Sequence, residues 1–143
     1  MTTTAIAQVR EFNRFYTRIL GLLDKEILNS AFSLPEARVL YELHRMQPCS
    51  AKEIIQVLEI DKGYLSRILK NFLRKGLIQT QAVRTDTRVT EIRLSAKGKV
   101  EFEKLNRASA NQIQQLLAPL TDSKIKSVIS HMQAIRQLLN NHT

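Results

Sequence analysis

Residues 50–76, SAKEIIQVLEIDKGYLSRILKNFLRKG, decide the fold. Ser50 and Glu53 stand at capping-box spacing. The serine oxygen takes an orphan amide of the first turn, and the glutamate three residues on reaches back to the serine N–H. Ile54, Ile55 and Leu58 form the inward face of a short helix that runs to about Leu58. Asp61 then caps a longer helix over about 62–75, and Gly76 just past its end is the residue type that accepts a left-handed C′ position. Two helices joined by a turn of only a few residues have the layout of a helix-turn-helix.

Toward the N-terminus, Ser33-Leu34-Pro35-Glu36 repeats the capping box, with a proline that a first turn tolerates. It opens a helix that runs to about Met46, where Gln47-Pro48 breaks it. Before it, residues 5–29 read as a long helix. Val9, Phe12, Tyr16, Ile19 and Leu23 step by 3, 4, 3, 4 along one stripe, and Asn29-Ser30 loosens the pattern.

Toward the C-terminus the period changes to two. Ile78, Thr80 and Ala82 alternate, as do Thr90, Ile92 and Leu94, around a polar tip Arg84-Thr85-Asp86-Thr87-Arg88. This predicts a β-hairpin over 77–94, a wing with a basic tip. Ser95 caps a long helix over about 96–117, with Leu105, Ala108, Ile113 and Leu116 predicted inward, and Pro119 ends it. Thr121 caps a last helix to about Leu139, where Ile125, Val128, Met132, Ile135 and Leu139 again step by 3, 4, 3, 4. The expected fold is mainly α with a small β-hairpin wing, as one domain over 1–143. A winged helix-turn-helix spans 34–95, flanked by helical regions 5–30 and 96–140. Those nearly heptad stripes imply packing on each other or on a second subunit. Helix-turn-helix readers usually bind as symmetric dimers, so the two flanks are read as dimerisation helices.

Composition narrows the function. The 143 residues carry 22 Lys and Arg against 13 Asp and Glu, a net charge of +9. Residues 34–99 hold 13 of the basic and 7 of the acidic residues, so the middle of the chain is the basic part. That balance suggests a polyanionic partner, nucleic acid first and an anionic membrane surface second. No apolar run approaches the roughly 18 residues needed to cross a bilayer. The first residues lack the apolar core of a signal peptide, so a cytoplasmic location and no membrane partner are expected. A single cysteine, Cys49, excludes an intrachain disulfide and a cysteine-based metal site. With no Gly-rich phosphate loop, no His-Glu-x-x-His and only scattered histidines (His44, His131, His142), no enzyme constellation, metal site or cofactor is expected.

The 62–75 helix carries the strongest chemistry. At 100° per residue, Leu65, Ile68, Leu69 and Phe72 fall on one side, while Gly63, Ser66, Arg67, Lys70 and Arg74 fall within about 60° of the opposite pole. Lys62 and Asn71 flank them, and no acid follows the Asp61 cap. Such a helix fits the major groove of duplex DNA. Arg67 suits a bidentate contact to guanine, Ser66 bonds several bases, Gly63 permits close approach, and Lys70 and Arg74 suit phosphates. A solvated basic face is the competing explanation for this helix taken alone; the short turn before it and the basic hairpin after it favour DNA. At the hairpin tip, Arg84 and Arg88 suit a narrow minor groove. Asp86 suits the task of orienting an arginine through a charge-assisted bond.

These residues together resemble a known family. Ser50 to Ile78, then Asp86-Thr-Arg88, then Ile92-Arg-Leu94-Ser95-Ala-Lys-Gly98 resemble the MarR family of bacterial transcriptional regulators. The segments Arg10–Tyr16, Leu34–Leu40 and Gly63–Arg67 look closer still to the MarR-type domains that precede a GNAT-type acetyltransferase in fused proteins. The resemblance implies a homodimer that binds a pseudo-palindromic operator on double-stranded DNA, as a transcriptional regulator expected to repress. It also implies release by a small phenolic or anionic effector. Phe15, Tyr16, Arg38, Tyr41 and His44 are the effector-site candidates by position. Cys49 lies outside the first helix, where peroxide-sensing members keep their reactive cysteine, which argues for an inert thiol. The alternative is a protein-interaction or regulatory module, possible on the same fold and in the N-terminal part of an acetyltransferase fusion.

Overall fold

The structure is a computed structural model that describes residues 2–28 and 30–140, with side chains left out over 23–28. Six helices and one hairpin follow in order: α1 (Thr3–Leu28), α2 (Leu34–Met46), α3 (Ala51–Leu58), α4 (Lys62–Arg74), β1 (Ile78–Val83), β2 (Asp86–Leu94), α5 (Ala96–Leu117) and α6 (Asp122–Asn140). The chain forms two compact units, one up to Ser109 and the other from Ala110, so the division falls inside α5.

Local chemistry sets the helix ends. Both capping boxes close: Ser33 N donates to Glu36 Oε1 at 2.9 Å and Glu36 N to Ser33 Oγ at 3.3 Å. Ser50 and Glu53 repeat the pattern at 3.3 Å each way. Asp61 Oδ2 accepts from Tyr64 N at 2.9 Å. The turn between α3 and α4 is sharp because Glu59 takes the left-handed conformation, φ 52°.

The core of the first unit gathers one face from each element. Val39, Leu40 and Leu43 of α2 meet Ile54 of α3, Leu65, Ile68 and Phe72 of α4, the hairpin residues Ile78, Ile92 and Leu94, and Phe102 of α5. Phe32 meets Phe72 edge to face at 6.2 Å between centroids. The hairpin pairs Ile78 with Leu94, Thr80 with Ile92 and Ala82 with Thr90, so both alternating rows share one face as expected. A single bridge between Cys49 and Ile92 ties the α2–α3 connection to β2.

Two readings of the sequence need correction. The tip is shorter than the five residues 84–88: Val83 pairs with Asp86, so only Arg84 and Thr85 turn, and Asp86 and Arg88 belong to β2. The register slips between Ala82 and Val83, which leaves Thr87, Arg88 and Val89 without a partner on β1. Such a bulge re-aims side chains. The second correction concerns α5: Ile113 and Leu116, predicted inward, are exposed. Val9 and Phe12 of α1 and Val128, Met132, Ile135 and Leu139 of α6 are also exposed in the single chain. Periodicity defines a stripe without supplying what covers it, and α6 buries none of its residues. Tyr16, Ile19, Leu105, Ala108 and Ile125 are half-buried, while the side chain of Leu23 and all of Asn29 lie outside the described residues.

The junction of α4, the hairpin and α5 is closely packed at Gly98. Gly76 takes φ +74°, and Leu77 N donates back to Phe72 O at 2.9 Å. Ser95 N donates to Leu77 O at 2.9 Å, Ser95 Oγ donates to Gly76 O at 2.6 Å, and the same oxygen accepts from Gly98 N at 3.0 Å. Gly98 is buried in the first turn of α5, where a β-carbon would overlap the Leu77 carbonyl and press on Leu94 Cδ2 at 3.3 Å. Helix propensity alone gives Gly98→Ala a gain of about 1 kcal/mol. The backbone overlap reverses the sign. Urea unfolding should show Gly98→Ala destabilised by about 2 kcal/mol; a stabilised variant would show that the junction yields.

Candidate nucleic-acid interface

The α4 face opposite the core presents Lys62, Gly63, Ser66, Arg67, Lys70 and Arg74, all exposed. The buried side of the same helix (Leu65, Ile68 and Phe72) holds its rotation in place. Gly63 follows the Asp61 cap closely, and a β-carbon there would lie 3.2 Å from the capping oxygen. The missing side chain therefore eases the cap as well as the approach of a ligand.

A groove of about 810 Å³ runs between the start of α3, α4 and the hairpin. It brings Lys62, Ser66 and Lys70 of α4 together with Arg88 of β2, residues far apart in sequence. Arg67, Arg74 and Gly63 lie outside that groove on the same helix, and Arg84 stands exposed at the hairpin turn. The sequence reading missed Lys52, which lines the groove from the first turn of α3. It also missed Tyr64, whose ring lies 5.7 Å from the Arg67 guanidinium carbon. The i,i+3 spacing of Tyr64 and Arg67 is the signal that finds the pair.

Three arginines are held by neighbours. Asp86 Oδ1 accepts from the Arg88 backbone N and from Arg88 Nε, both at 3.1 Å, and Asp86 Oδ2 accepts from Nη2 at 3.4 Å. The Arg88 side chain stays 89% exposed while held in this way. These bonds, the side-chain ones first and the backbone one next, hold the Asp86 carboxyl below the usual carboxylate range. Arg67 has the Tyr64 ring. Arg74 Nη2 donates to Asn71 Oδ1 at 2.6 Å, and Asn71 Nδ2 donates to Glu36 Oε2 at 3.2 Å. Among the described residues, Lys62, Lys70 and Arg84 make no ion pair.

A second hollow of about 240 Å³ opens between α2, the end of α3 and α5. Arg38 and Tyr41 line it with Leu34, Leu58, Phe102 and Leu105. Glu42 also reaches the wall, but its carboxylate is paired with Arg45 at 2.8 Å. His44 is not part of that wall and stacks on Phe102 with centroids 4.1 Å apart. Phe15 and Tyr16 are absent from the lining too. They sit on α1 beside Phe12, which stacks with Tyr16 at 5.7 Å.

The remaining candidates are chemically quiet. Cys49 is 2% exposed, and burial, aided by the Glu53 carboxylate, pushes its thiol up to about 11. Its thiolate is therefore scarce at neutral pH. His131 Nδ1 lies 2.6 Å from the Ser127 carbonyl on exposed α6, and His142 lies outside the described residues. No cluster of three His, Cys, Asp or Glu side chains is placed to hold a metal among the described residues. No described helix is long and apolar enough to cross a membrane.

Residues 32–89 match the sequence model described as the MarR family. That match covers 58 of the 143 residues, so the chain is similar to the MarR family over its winged helix-turn-helix segment. It is 24% identical over 94 residues to the HTH-type transcriptional regulator BilQ of Clostridium symbiosum (strain WAL-14163), across 66% of this chain and 65% of that protein. The matches span less than two thirds of the curated relatives, 60% in the case of YdgJ of Bacillus subtilis (strain 168). Among solved structures, the MarR family transcription regulator SP03579 superposes with a TM-score of 0.83 at 16% identity, covering 97% of this chain and 93% of that one. Streptococcus pneumoniae FabT in complex with DNA superposes with a TM-score of 0.82 at 19% identity, covering 94% of this chain and 99% of that one. The winged-helix fold of those structures is thus the architecture of this chain, with the two-stranded hairpin as its wing.

Glu36 yields a prediction about pH. Burial raises its pKa, but the Ser33 amide and hydroxyl, the Asn71 amide and the charge of Lys75 outweigh it, and the carboxyl ends below its ordinary 4.5. A depressed folded-state value contributes stability above the unfolded value, and that stability is lost as pH falls through the folded one. Wild type should be more stable than Glu36→Gln near neutral pH, and the difference should shrink as the pH drops below 4.5. Urea unfolding of both proteins from about pH 7 to about pH 3 reads it directly; a constant difference would contradict it.

Proposed function

We propose that this protein is a member of the MarR family and a sequence-specific regulator of transcription, a repressor that binds a pseudo-palindromic operator on double-stranded DNA as a homodimer. The observation that carries the proposal is the charge arrangement around α4. Lys62, Arg67, Lys70 and Arg74 leave one helix on its outward side, and Arg88 joins Lys62 and Lys70 across the groove. An α-helix fits the major groove, where Arg67 and Ser66 near its start reach base edges. The hairpin carries Arg84 and Arg88 toward the flanking minor groove, where arginines meet concentrated negative potential. Lys70 and Arg74 serve phosphates, which position the protein without reading sequence. FabT, a protein of the same fold, has been captured with DNA.

Exposed apolar stripes support the dimer. Val9, Phe12 and Phe15 on α1, and Val128, Met132 and Leu139 on α6, are uncovered in the single chain. Large apolar surface of this kind marks an interaction site. A second copy of the chain is the occupant that a symmetric operator requires.

The α2–α5 hollow supports a small anionic or phenolic effector. Its walls are mostly apolar, with an aromatic ring from Phe102 and a guanidinium from Arg38 that makes no ion pair among the described residues. At about 240 Å³ it suits a molecule of one ring rather than a larger ligand.

Selection from a pool of random duplexes at physiological salt tests the reading. A palindrome with half-sites about one helical turn apart is expected; an unenriched pool would overturn sequence-specific recognition. On the selected site, Arg67→Ala should cost about 1–3 kcal/mol and relax preference at one base step. Arg88→Ala should weaken selected and mixed duplexes alike and lower the salt slope by about 1. For the effector, titration of single-ring aromatic carboxylates such as benzoate is the probe. A compound that weakens DNA binding must itself bind more weakly to the DNA complex by the same factor, and Arg38→Ala should abolish that coupling.

A further inference from the structure

We propose that Asn71 is a positioning residue for DNA binding: its amide, held between the Glu36 carboxylate of α2 and the Arg74 guanidinium of α4, orders Arg74 for a phosphate. The inference rests on the reading of α4 as the DNA-facing helix. It adds a residue that touches no DNA and a second, Glu36, that lies on another helix.

Hydrogen-bond chemistry allows this amide only one orientation. A carboxylate only accepts and a guanidinium only donates. Asn71 meets the carboxylate with Nδ2, 3.2 Å from Glu36 Oε2, and the guanidinium with Oδ1, 2.6 Å from Arg74 Nη2. An aspartate at 71 would lack the donor, and a leucine would lack both ends. Glu36 cannot turn away, because its other oxygen accepts from Ser33 N at 2.9 Å in the α2 capping box. The chain of bonds therefore runs from a rigid helix N-terminus through a half-buried amide to an exposed arginine. A free arginine loses rotamer entropy when it settles on a phosphate, and one already ordered loses less. Arg74 and Asn71 are i,i+3 neighbours on α4, whereas Glu36 lies 35 residues earlier.

Glu36→Gln separates positioning from charge and from capping. Glutamine serves in a capping box, so its oxygen still accepts from Ser33. Its Nε2 then faces Asn71 Nδ2, donor against donor. Asn71 turns its amide over and presents Nδ2 to Arg74, again donor against donor. The substitution also removes a negative charge, which by itself strengthens binding to DNA. A loss of affinity therefore has the sign that only positioning explains.

The experiment titrates mixed-sequence duplex DNA with the full chain as wild type, Glu36→Gln, Asn71→Ala, Arg74→Ala and the Asn71→Ala/Arg74→Ala double variant, over a range of salt. Arg74→Ala is expected to weaken binding roughly tenfold and to lower the salt slope by about 1. Glu36→Gln and Asn71→Ala are each expected to weaken it roughly threefold with the slope retained, and the double variant to be no weaker than Arg74→Ala. Without DNA, NMR relaxation at Arg74 Nε is expected to show an ordered side chain in wild type and a mobile one in Glu36→Gln. If Glu36→Gln and Asn71→Ala bind as tightly as wild type while Arg74→Ala is weakened, the positioning role is overturned and the DNA-facing reading stands. Multiplying losses in the double variant, or a mobile Arg74 in wild type, overturn the positioning role as well. If Arg74→Ala binds like wild type, the assignment of Arg74 to DNA fails, and this inference fails with it.

Discussion

The structure depends on the seam at which the first turn of α5 lies against the Leu77 carbonyl. The carbonyl accepts from Ser95 N, and Gly98 lets the backbone of α5 come close enough for that contact. Ser95 Oγ donates to the carbonyl of Gly76 and accepts from the amide of Gly98, so one hydroxyl serves the end of α4 and the start of α5 together. Lys97 Nζ adds a bond to the Lys75 carbonyl at 2.9 Å. Three successive carbonyls at the end of α4, those of Lys75, Gly76 and Leu77, are thus satisfied by residues that follow the hairpin. A buried or crowded backbone group left unpaired is costly, so these bonds restrict how the hairpin leaves α4. The orientation of Arg88 relative to Lys62 and Lys70 follows from that restriction.

The basic surface is organised by weak partners rather than neutralised. Arg88 has a carboxylate on a bulged strand, Arg67 an aromatic ring one turn back, and Arg74 an amide. Each partner orders a cation and leaves it accessible. Surface ion pairs add little to stability, so their value here lies in preorganisation. The one carboxylate among them, Asp86, reduces the net charge of the wing while it aims the arginine that remains. Glu36 acts at one remove, because Asn71 stands between it and Arg74 and keeps full opposite charges from pairing.

The exposed stripes of α1 and α6 and the buried face of α4 arise from the same kind of pattern. In α4, Leu65, Ile68 and Phe72 find Val39, Leu40 and Phe32 within their own unit. In α6, Val128, Met132 and Leu139 of the stripe are exposed. A 3.6-residue repeat states which residues share a face and carries no information about the surface opposite.

Helix ends, the hairpin pairing and the basic face of α4 were legible in the chain itself. The helix ends rest on contacts between residues three positions apart, Ser33 with Glu36, Ser50 with Glu53 and Asp61 with Tyr64, and the hairpin on an alternation within each strand that pairs Ile78 with Leu94. The Asp86–Arg88 bond belongs to the same local class. Tertiary structure alone decided the rest. It placed Lys52 in the groove, Arg38 and Tyr41 in the hollow without His44, and Glu36 beside Asn71. It also gave Gly98 its reason, which is the closeness of a carbonyl 21 residues away. Local hydrogen bonds and periodicity are encoded within a turn or a strand, whereas a contact between distant residues exists only once the packed core has set the distance between their helices.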